Sequence, residues 1–370
     1  MDLSDVRRHH LSVVLEHLVR NGPRSRAAIA QETGLTKATV SAIVADLLDR
    51  ELVAELDTPN AGRVGRPAIN VGAAGHRIGG LGLEIDVDEL AACVVDLSGD
   101  VRVIQRDVAA NRDVPAAQVI RRLRDLTRRA LAEAAALGIR CIGGTLALPG
   151  LVDPQSGTLF VAPNLHWFDA DLRSLAAQLR LPPGFPLTVD NEANLGALAE
   201  LRHGAGQQQP SFVYVSSAGG VGAGIVIDGR VLRGAHGFAG ELGHVVVDPT
   251  GKPCACGARG CLETLIGSDA ATSPDELADS LAAALRTVVH LIDPEAIVLG
   301  GTLAGHGEEF AERVGDTLRA ITLGARWHHC VVRRSLLGAD AALVGAATAA
   351  LDSVISDPTI VALRTSSQSA

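Results

Sequence analysis

Apolar side chains in the first 75 residues fall into three short runs that have the period of an α-helix. The first run covers residues 6–20 and stops just before Pro23, which cannot continue a helix. Ser25 can then cap a second helix that ends at Gly34, and Thr36 can cap a third. Two short helices joined through a glycine turn indicate a helix-turn-helix motif.

The second helix of such a motif inserts its first turn into the major groove of DNA. The residues that this would place near base edges and phosphates are Thr36, Lys37, Ala38, Thr39 and Ser41. In the later segment GRVGRPAINV, Arg63 and Arg66 can contact phosphates or a narrow minor groove. We therefore predict that residues 1–75 form a winged helix-turn-helix that binds a double-stranded DNA operator. The alternative is a small dimerisation module whose arginines are only solvated.

From about Gly80 the apolar pattern changes to that of β-strands. The stretch LGLEIDVDELAACVVDLSGDV predicts two strands joined by an acidic turn, and a helix over residues 115–137 and the strand CIGGTLALPG follow. SFVYVSSAGGVGAGIVIDG, a helix over about 275–291 and the strand AIVLGG repeat this order. The repetition predicts an α/β, actin-like fold with two lobes, residues 76–200 and 201–370, and a cleft between them.

Three of the six cysteines lie within eight residues of one another and follow a histidine closely. The set is His244, Cys254, Cys256 and Cys261. Three thiolates and one imidazole are what a tetrahedral zinc site requires, and four protein ligands leave no open position for catalysis. We therefore predict a structural zinc ion in this loop. The alternatives are small buried thiols, or disulfide partners in a secreted protein.

Composition excludes several classes of protein. With 47% hydrophobic and 20% charged residues, the chain cannot be disordered and must bury large cores. The net charge of −9 lies entirely beyond residue 75, because residues 1–75 contain nine basic and nine acidic side chains. A local basic surface on the N-terminal head is therefore compatible with an acidic protein. An aromatic content of 2% argues against a platform that stacks single-stranded bases.

The chain shows no sequence feature typical of membrane insertion or secretion. Its longest apolar runs, such as AALVGAATAAL, fall short of the roughly 20 residues that a membrane span needs. Glu16 and His17 interrupt the first apolar stretch, which makes it a poor secretion signal. We therefore expect a cytoplasmic protein with no membrane partner.

Several segments together resemble the signatures of the ROK family, which groups sugar-responsive repressors with sugar kinases. They are LPGLVDPQSGTL, PNLHW, VDNEANLGALAE, GFAGELGHVVVDPTGKPCACGARGCLE and DPEAIVLGG. With the N-terminal helix-turn-helix and the GRP segment, the resemblance covers nearly the whole chain. Within the family, the chain most resembles the xylose-repressor-like branch. It implies an actin-like domain whose cleft binds a small sugar.

The resemblance also implies which residues contact the sugar. The matching positions are Asn164, Asn191, Glu192, Glu241, His244 and Glu263. Carboxylates and amides suit a polyol, because each can form paired hydrogen bonds with adjacent hydroxyl groups. Any one of these residues alone could equally be a helix cap or a satisfied polar group. The zinc ion would hold the loop between Glu241 and Glu263 so that both carboxylates face the cleft.

Two departures from the family pattern argue against phosphoryl transfer. Where ROK kinases have a D-x-G-G-T phosphate loop, this chain has Glu84-Ile85-Asp86-Val87-Asp88. A carboxylate beside a phosphate costs on the order of several kcal/mol at an effective dielectric of about 20. Glu192 stands where the family has its catalytic aspartate, and the extra methylene displaces the carboxylate by about 1 Å. The stretch between Cys261 and Asp293 also looks short against the family.

The sequence therefore predicts a sugar-responsive transcriptional regulator, a repressor, and not an enzyme. A palindromic operator would require a homodimer or a dimer of dimers. Two alternatives stay open: a sugar kinase with a fused DNA-binding head, and a regulator with an empty cleft that is controlled by a protein partner.

Overall fold

A computed structural model describes residues 3–56, 69–74, 76–217, 219–266, 273–327 and 329–361. The helices of these residues are α1 (Leu3–Asn21), α2 (Arg26–Thr33), α3 (Lys37–Asp49), α4 (Ala116–Ala136), α5 (Leu172–Ala176), α6 (Glu192–His203), α7 (Glu263–Ile266), α8 (Pro274–Ile292), α9 (Glu308–Ile321) and α10 (Ala341–Ser356). The strands are β1 (Arg24–Ser25), β2 (Val53–Leu56), β3 (Asn70–Ala73), β4 (Ile78–Ile85), β5 (Glu89–Asp96), β6 (Val101–Val108), β7 (Arg140–Leu148), β8 (Leu151–Asp153), β9 (Thr158–Ala162), β10 (Trp167–Asp171), β11 (Leu187–Asn191), β12 (Phe212–Ser217), β13 (Val221–Ile227), β14 (Arg230–Leu232), β15 (Ala296–Leu299) and β16 (Val331–Arg334).

The N-terminal head is a winged helix-turn-helix, as predicted. Ser25 caps α2 by accepting a hydrogen bond from the backbone N–H of Ala28, and Thr36 caps α3 in the same way. Gly34 ends α2 with φ of 74°, a left-handed conformation that favours glycine. Strands β2 and β1 both pair antiparallel with β3. The wing arginines Arg63 and Arg66 lie outside the described residues.

The two predicted α/β halves are confirmed by the topology of two five-stranded sheets. Their strand orders are β11-β7-β4-β5-β6 and β14-β13-β12-β15-β16. In each sheet the first three strands pair antiparallel in sequence order. The fourth strand pairs parallel with the first, on its other side, and the fifth pairs parallel with the fourth. The halves therefore have the same topology, which is that of an actin-like fold.

Helix α10 packs between the first of these sheets and the head. It lies so close to β4 that a Cβ added to Gly80 would come within 2.1 Å of the carbonyl oxygen of Ala347. Gly345 of α10 is equally close to α6, because its Cβ would lie 1.9 Å from the carbonyl oxygen of Leu195. Glycines thus allow direct backbone contact at both interfaces.

The stretch Gly338–Ser356, which contains α10, is long and apolar enough to cross a membrane by length and composition alone. Its mean hydropathy is 1.3, and 67% of it is buried inside the protein. Contacts of α10 with α6, β4 and β7 account for this apolar composition, since a helix packed on several sides is apolar over most of its surface.

The head and the body share one hydrophobic core. Leu11 and Leu15 of α1 belong to the same buried cluster as Leu351, Val354 and Ile355 of α10. Arg50, at the end of α3, donates a hydrogen bond to the carbonyl oxygen of Val361 beyond α10. The N-terminal head is therefore packed onto the last long helix of the body.

Candidate functional site

A cavity of about 1090 Å³ opens between the two halves. All six residues predicted to contact a sugar line this cavity: Asn164, Asn191, Glu192, Glu241, His244 and Glu263. They come from β11, α6, α7, the turn after β9 and the loop after β14. We call this group the sugar end of the cavity. Their role as sugar contacts remains a prediction.

Asn191 and Glu192 are held by the junction of β11 and α6. The side-chain oxygen of Asn191 caps α6, accepting hydrogen bonds from the backbone N–H groups of Ala193 (2.8 Å) and Asn194 (3.2 Å). Its side-chain nitrogen donates to the Gly150 carbonyl oxygen and, over 2.8 Å, to Oε2 of Glu192. Burial raises the pKa of Glu192 well above its ordinary value, and the neighbouring carboxylates add to this effect. The cap thus fixes a carboxyl group that is readily protonated.

Gly220 lies in the cavity wall close to the side chains of both Asn164 and Glu263. A Cβ at Gly220 would lie 2.5 Å from Nδ2 of Asn164 and 3.2 Å from Oε2 of Glu263. The same Oε2 accepts a hydrogen bond from the backbone N–H of Val221 over 3.2 Å. Only a residue without a side chain fits between the two polar groups.

The predicted metal ligands form a compact cluster. The ligand atoms of His244, Cys254, Cys256 and Cys261 all lie within 4.8 Å of one another. Nδ1 of His244 is 3.7 Å from Sγ of Cys254, and the Sγ atoms of Cys256 and Cys261 are 3.6 Å apart. A tetrahedral zinc ion with bonds of about 2.3 Å would place its ligands about 3.8 Å apart. The spacing fits zinc and is too long for a disulfide, whose sulfur atoms are about 2.05 Å apart.

The surroundings of the cluster shift the pKa values of its thiols in different directions. A hydrogen bond from the backbone of Ala258 lowers the pKa of Cys256, whereas burial raises the pKa of Cys261 to about 12. A bound cation would stabilise the thiolate form of both.

His244 connects the metal cluster with the cavity. While its Nδ1 faces Cys254, its Nε2 lies 3.9 Å from Oε2 of Glu241. A carboxylate against the second nitrogen of a metal-binding imidazole orients the ring. One side chain therefore belongs to both predicted sets, and the geometry allows both uses at once.

The last residues of β4 and the turn between β4 and β5 also line the cavity, and we call this part the turn end. Its lining residues are Glu84, Asp86, Asp88 and Glu89. Burial, together with the smaller effect of the neighbouring carboxylates, raises the pKa of Glu84 to about 8. The turn also contacts the second half, because a Cβ at Gly219 would lie 2.4 Å from Cγ2 of Val87 and 3.0 Å from Oδ1 of Asp86.

Sequence reasoning missed two basic residues at the turn end, Arg106 and Arg112. Arg106 forms ion pairs with Glu89 and with Asp340, which lies 234 positions away in sequence. Its position depends on the pairing of β6 with β5 and on the placement of α10, so no local pattern marks it.

On the head, four of the five predicted α3 contacts are exposed: Thr36, Lys37, Ala38 and Ser41. Thr39 is half-buried, and its hydroxyl lies 2.9 Å from that of Thr36. Ser41 donates its hydroxyl to the carbonyl oxygen of Lys37 over 2.9 Å. The opposite face of α3 is buried in the core of the head. The helix therefore presents its first turn to solvent, in the manner that major-groove reading requires.

Two family models match this chain. The ROK family model matches residues 80–273 and 266–353, and the MarR family model matches residues 12–64. The xylose repressor of Bacillus subtilis (strain 168) is 32% identical over 269 residues, which make up 71% of this chain and 67% of that relative.

Solved structures agree with these matches. A ROK family transcriptional regulator described as a homologue of the E. coli MLC protein has a TM-score of 0.77 at 26% identity, covering 95% of this chain and 97% of that one. The ROK hexokinase from Thermus thermophilus has a TM-score of 0.62 at 30% identity, covering 75% of this chain and 99% of that one. With the family model matched over most of its length, the chain belongs to the ROK family.

Proposed function

We propose that this protein is a transcriptional repressor that binds operator DNA through its head, and that a sugar bound in the cavity lowers or raises its affinity for the operator. The observation that carries the proposal is the combination, in one molecule, of a winged helix-turn-helix and a cavity lined by all six predicted sugar contacts. The named repressor among its relatives supports the same assignment.

The DNA partner is a double-stranded operator read by α3. Lys37 and the capping residue Thr36 are exposed at the start of the helix, where base edges and phosphates would lie. The wing arginines Arg63 and Arg66 would add phosphate or minor-groove contacts. A homodimer or a dimer of dimers would read a palindromic site, with residues 1–75 as the head and 76–200 and 201–370 as the lobes.

The effector is a small polyol. Asn164, Asn191, Glu192, Glu241 and Glu263 offer amide and carboxylate groups that converge on one cavity. Such groups bind adjacent hydroxyls in pairs and discriminate against ligands that lack them. His244 contributes through its contact with Glu241.

The zinc ion is structural. His244, Cys254, Cys256 and Cys261 would hold it, and the ion would fix the loop that joins Glu241 to Glu263. Four protein ligands leave it no open position, so its chemistry is limited to holding the loop and keeping the thiols ionised.

We propose that the cavity does not support phosphoryl transfer. Carboxylates of Glu84, Asp86 and Asp88 line the end where a kinase would cradle phosphates, and they repel such a ligand. Glu192 replaces the shorter catalytic aspartate of the family. The two segments matched by the family model overlap at residues 266–273, within the stretch between Cys261 and Asp293 that looks short against the family. The working location of such a regulator is the cytoplasm.

The test is a fluorescence-anisotropy titration of the purified protein on the DNA upstream of its own gene, with and without a panel of pentoses and hexoses at fixed salt. We expect tight binding that one sugar shifts. Lys37→Ala should weaken DNA binding about tenfold, whereas Lys252→Ala, an exposed lysine in the zinc loop, should not. ATP-dependent sugar phosphorylation in a coupled assay would favour the kinase, and DNA binding that no sugar shifts would favour control by a protein partner.

A further inference from the structure

One ion pair joins the two halves of the body next to the sugar end of the cavity. Asp190 is the residue of β11 immediately before Asn191, and Arg233 follows β14 in the second half. Oδ2 of Asp190 accepts hydrogen bonds from two nitrogens of Arg233, from Nε over 3.0 Å and from a terminal nitrogen over 2.7 Å. The Asp190 side chain is only 8% exposed. A carboxylate buried this deeply depends on its charged partner, so the pair is a firm contact between the halves.

In the first half, Asp190 is connected to two of the predicted sugar contacts. Its other oxygen, Oδ1, accepts a hydrogen bond from the backbone N–H of Asn191 over 2.9 Å. Asn191 in turn caps α6 and donates to Oε2 of Glu192. The carboxylate that binds Arg233 therefore also holds the backbone from which Asn191 and Glu192 project.

In the second half, Arg233 begins the loop that leads to Glu241. The carbonyl oxygen of Arg233 accepts a hydrogen bond from the backbone N–H of Ala239 over 3.2 Å, which closes the loop. The carbonyl oxygen of Gly240 accepts one from Ala223 of β13 over 2.8 Å. Glu241 therefore follows a loop whose two ends are fixed, and the guanidinium of Arg233 ties the first of these ends to β11.

The two sides of the sugar end do not hold each other. Glu192 and Glu241 both line the cavity, and their carboxylates repel each other whenever both are ionised. Among the described residues, no hydrogen bond joins these two side chains. The loop also meets the first half through the rings of Phe160 and Phe238, whose centroids are 5.3 Å apart, but both rings are exposed. Charge-assisted hydrogen bonds fix a distance more closely than such an apolar contact.

We propose that Asp190 and Arg233 form a positioning pair that sets the distance between Asn191 and Glu192 on one side of the sugar site and Glu241 on the other. This inference rests on the proposed function, because it concerns the binding site of the same effector. Neither member of the pair lines the cavity, so both act through the residues that do. A polyol bound from both halves loses hydrogen bonds to one of them when the two sides separate by about 1 Å.

The test is isothermal titration calorimetry of the full chain with a panel of pentoses, hexoses and N-acetylhexosamines at fixed salt. Variants are then measured with the panel sugar that binds most tightly. We expect Arg233→Ala to bind it at least about tenfold more weakly. Arg233→Lys should stay within about threefold of the unmodified protein, because an ammonium group can still donate to the single oxygen that accepts both bonds. Arg230→Ala, which removes an exposed arginine of β14, is the control and should bind normally.

A double-mutant cycle shows whether the two residues act as one unit. Asp190→Asn keeps the size of the side chain and removes its charge, so it should weaken sugar binding about as much as Arg233→Ala does. The double variant should bind no more weakly than either single variant. All affinities are measured well below the melting temperature of each variant, so that unfolding does not contribute.

Unchanged sugar affinity in Arg233→Ala, an equal loss in Arg230→Ala, or losses that add in the double variant would overturn this inference and leave the proposed function standing. Binding of no sugar in the panel would overturn both. If Arg233→Ala failed to fold, Asp190→Asn would decide: a loss of at least about tenfold supports the positioning pair, and unchanged affinity overturns it.

Discussion

At the scale of single residues, Gly220 shows how a missing side chain shapes the cavity. Asn164 and Glu263 approach this position so closely that any Cβ would displace one of them. No positive φ forces a glycine here, so the requirement comes from space alone. The glycine pair after β12 was visible in the sequence, but its neighbours come from both halves and only the fold brings them together.

We predict that Gly220→Ala lowers sugar affinity at least about tenfold, because the added methyl group must push Asn164 or Glu263 out of place. Calorimetry with the sugar that shifts DNA binding measures this loss. Gly305→Ala is the matched control, since a Cβ there meets nothing within 4 Å. Equal losses in both variants would show that the effect is general destabilisation and not a change in the site.

The metal cluster gives a second prediction. Purified protein should contain about one zinc ion per chain, and Cys256→Ser should remove most of it, because three ligands hold zinc much less tightly than four. The melting temperature should fall by about 5 °C or more, and sugar affinity should fall with it as the loop between Glu241 and Glu263 loosens. Cys141→Ser, which changes a cysteine outside the cluster, should keep the full metal content. Elemental analysis that finds no zinc in unmodified protein prepared without chelator would contradict the assignment.

How far the sequence predicts the site depends on how local each signal is. The cluster of candidate metal ligands was predictable because three of its residues fall within eight positions and the chemistry of three thiols with one imidazole is specific. The six cavity residues were placed through their resemblance to family motifs. Arg106 and Asp340 carry no local signature, since their meeting depends on strand register and on the packing of distant elements.

At the scale of elements, helical period and capping residues predicted the head well. Ser25, Gly34 and Thr36 act as the predicted caps, because the bonds that end a helix are made within a few residues. The repeated order of strands and helices likewise predicted two halves with one topology. The position of α10 was not predictable in this way, because an apolar helix does not specify which surfaces it will contact.

Helices α6 and α10 connect the cavity with the head. Helix α6 begins at the cap Asn191 in the cavity wall, packs along α10 and ends near the core that α10 shares with α1. At that end, Arg202 of α6 forms an ion pair with Asp352 of α10 over 3.3 Å, and Nε of Arg202 has no hydrogen-bond partner among the described residues. A shift of α6 on sugar binding would therefore act on α10 beneath the head.

Sugar binding should alter DNA affinity by a fixed factor, and we predict that Asp352→Asn changes this factor about fivefold. The affinity for each ligand in the absence of the other should change little. The reason is that the substitution removes the charged contact between the two helices but leaves the cavity and α3 intact. Anisotropy titrations with and without sugar measure this factor. The control is Asp316→Asn, which breaks an exposed ion pair with Arg319 on α9. If both variants kept the factor of the unmodified protein, the contact between α6 and α10 would not carry the coupling.

In the whole molecule, a sugar-responsive repressor must couple the binding of two ligands within one chain. The head is packed onto α10, and α10 contacts β4, β5 and β7 of the first sheet, so a movement of that sheet would act on the head through this helix. The sequence predicted both binding functions and their arrangement along the chain. It did not predict this shared core, which brings together residues of α1 and α10 that are more than 300 positions apart.

Coupling between the DNA site and the sugar site can be measured in both directions. DNA affinity is determined with and without saturating sugar, and sugar affinity with and without saturating operator DNA, all at one salt concentration. Thermodynamic coupling of two sites requires the two ratios to be equal, and typical coupling of 1–3 kcal/mol corresponds to a factor of about 5 to 150. We predict one common factor in that range, whereas a factor of one in both directions would contradict coupling between the two sites.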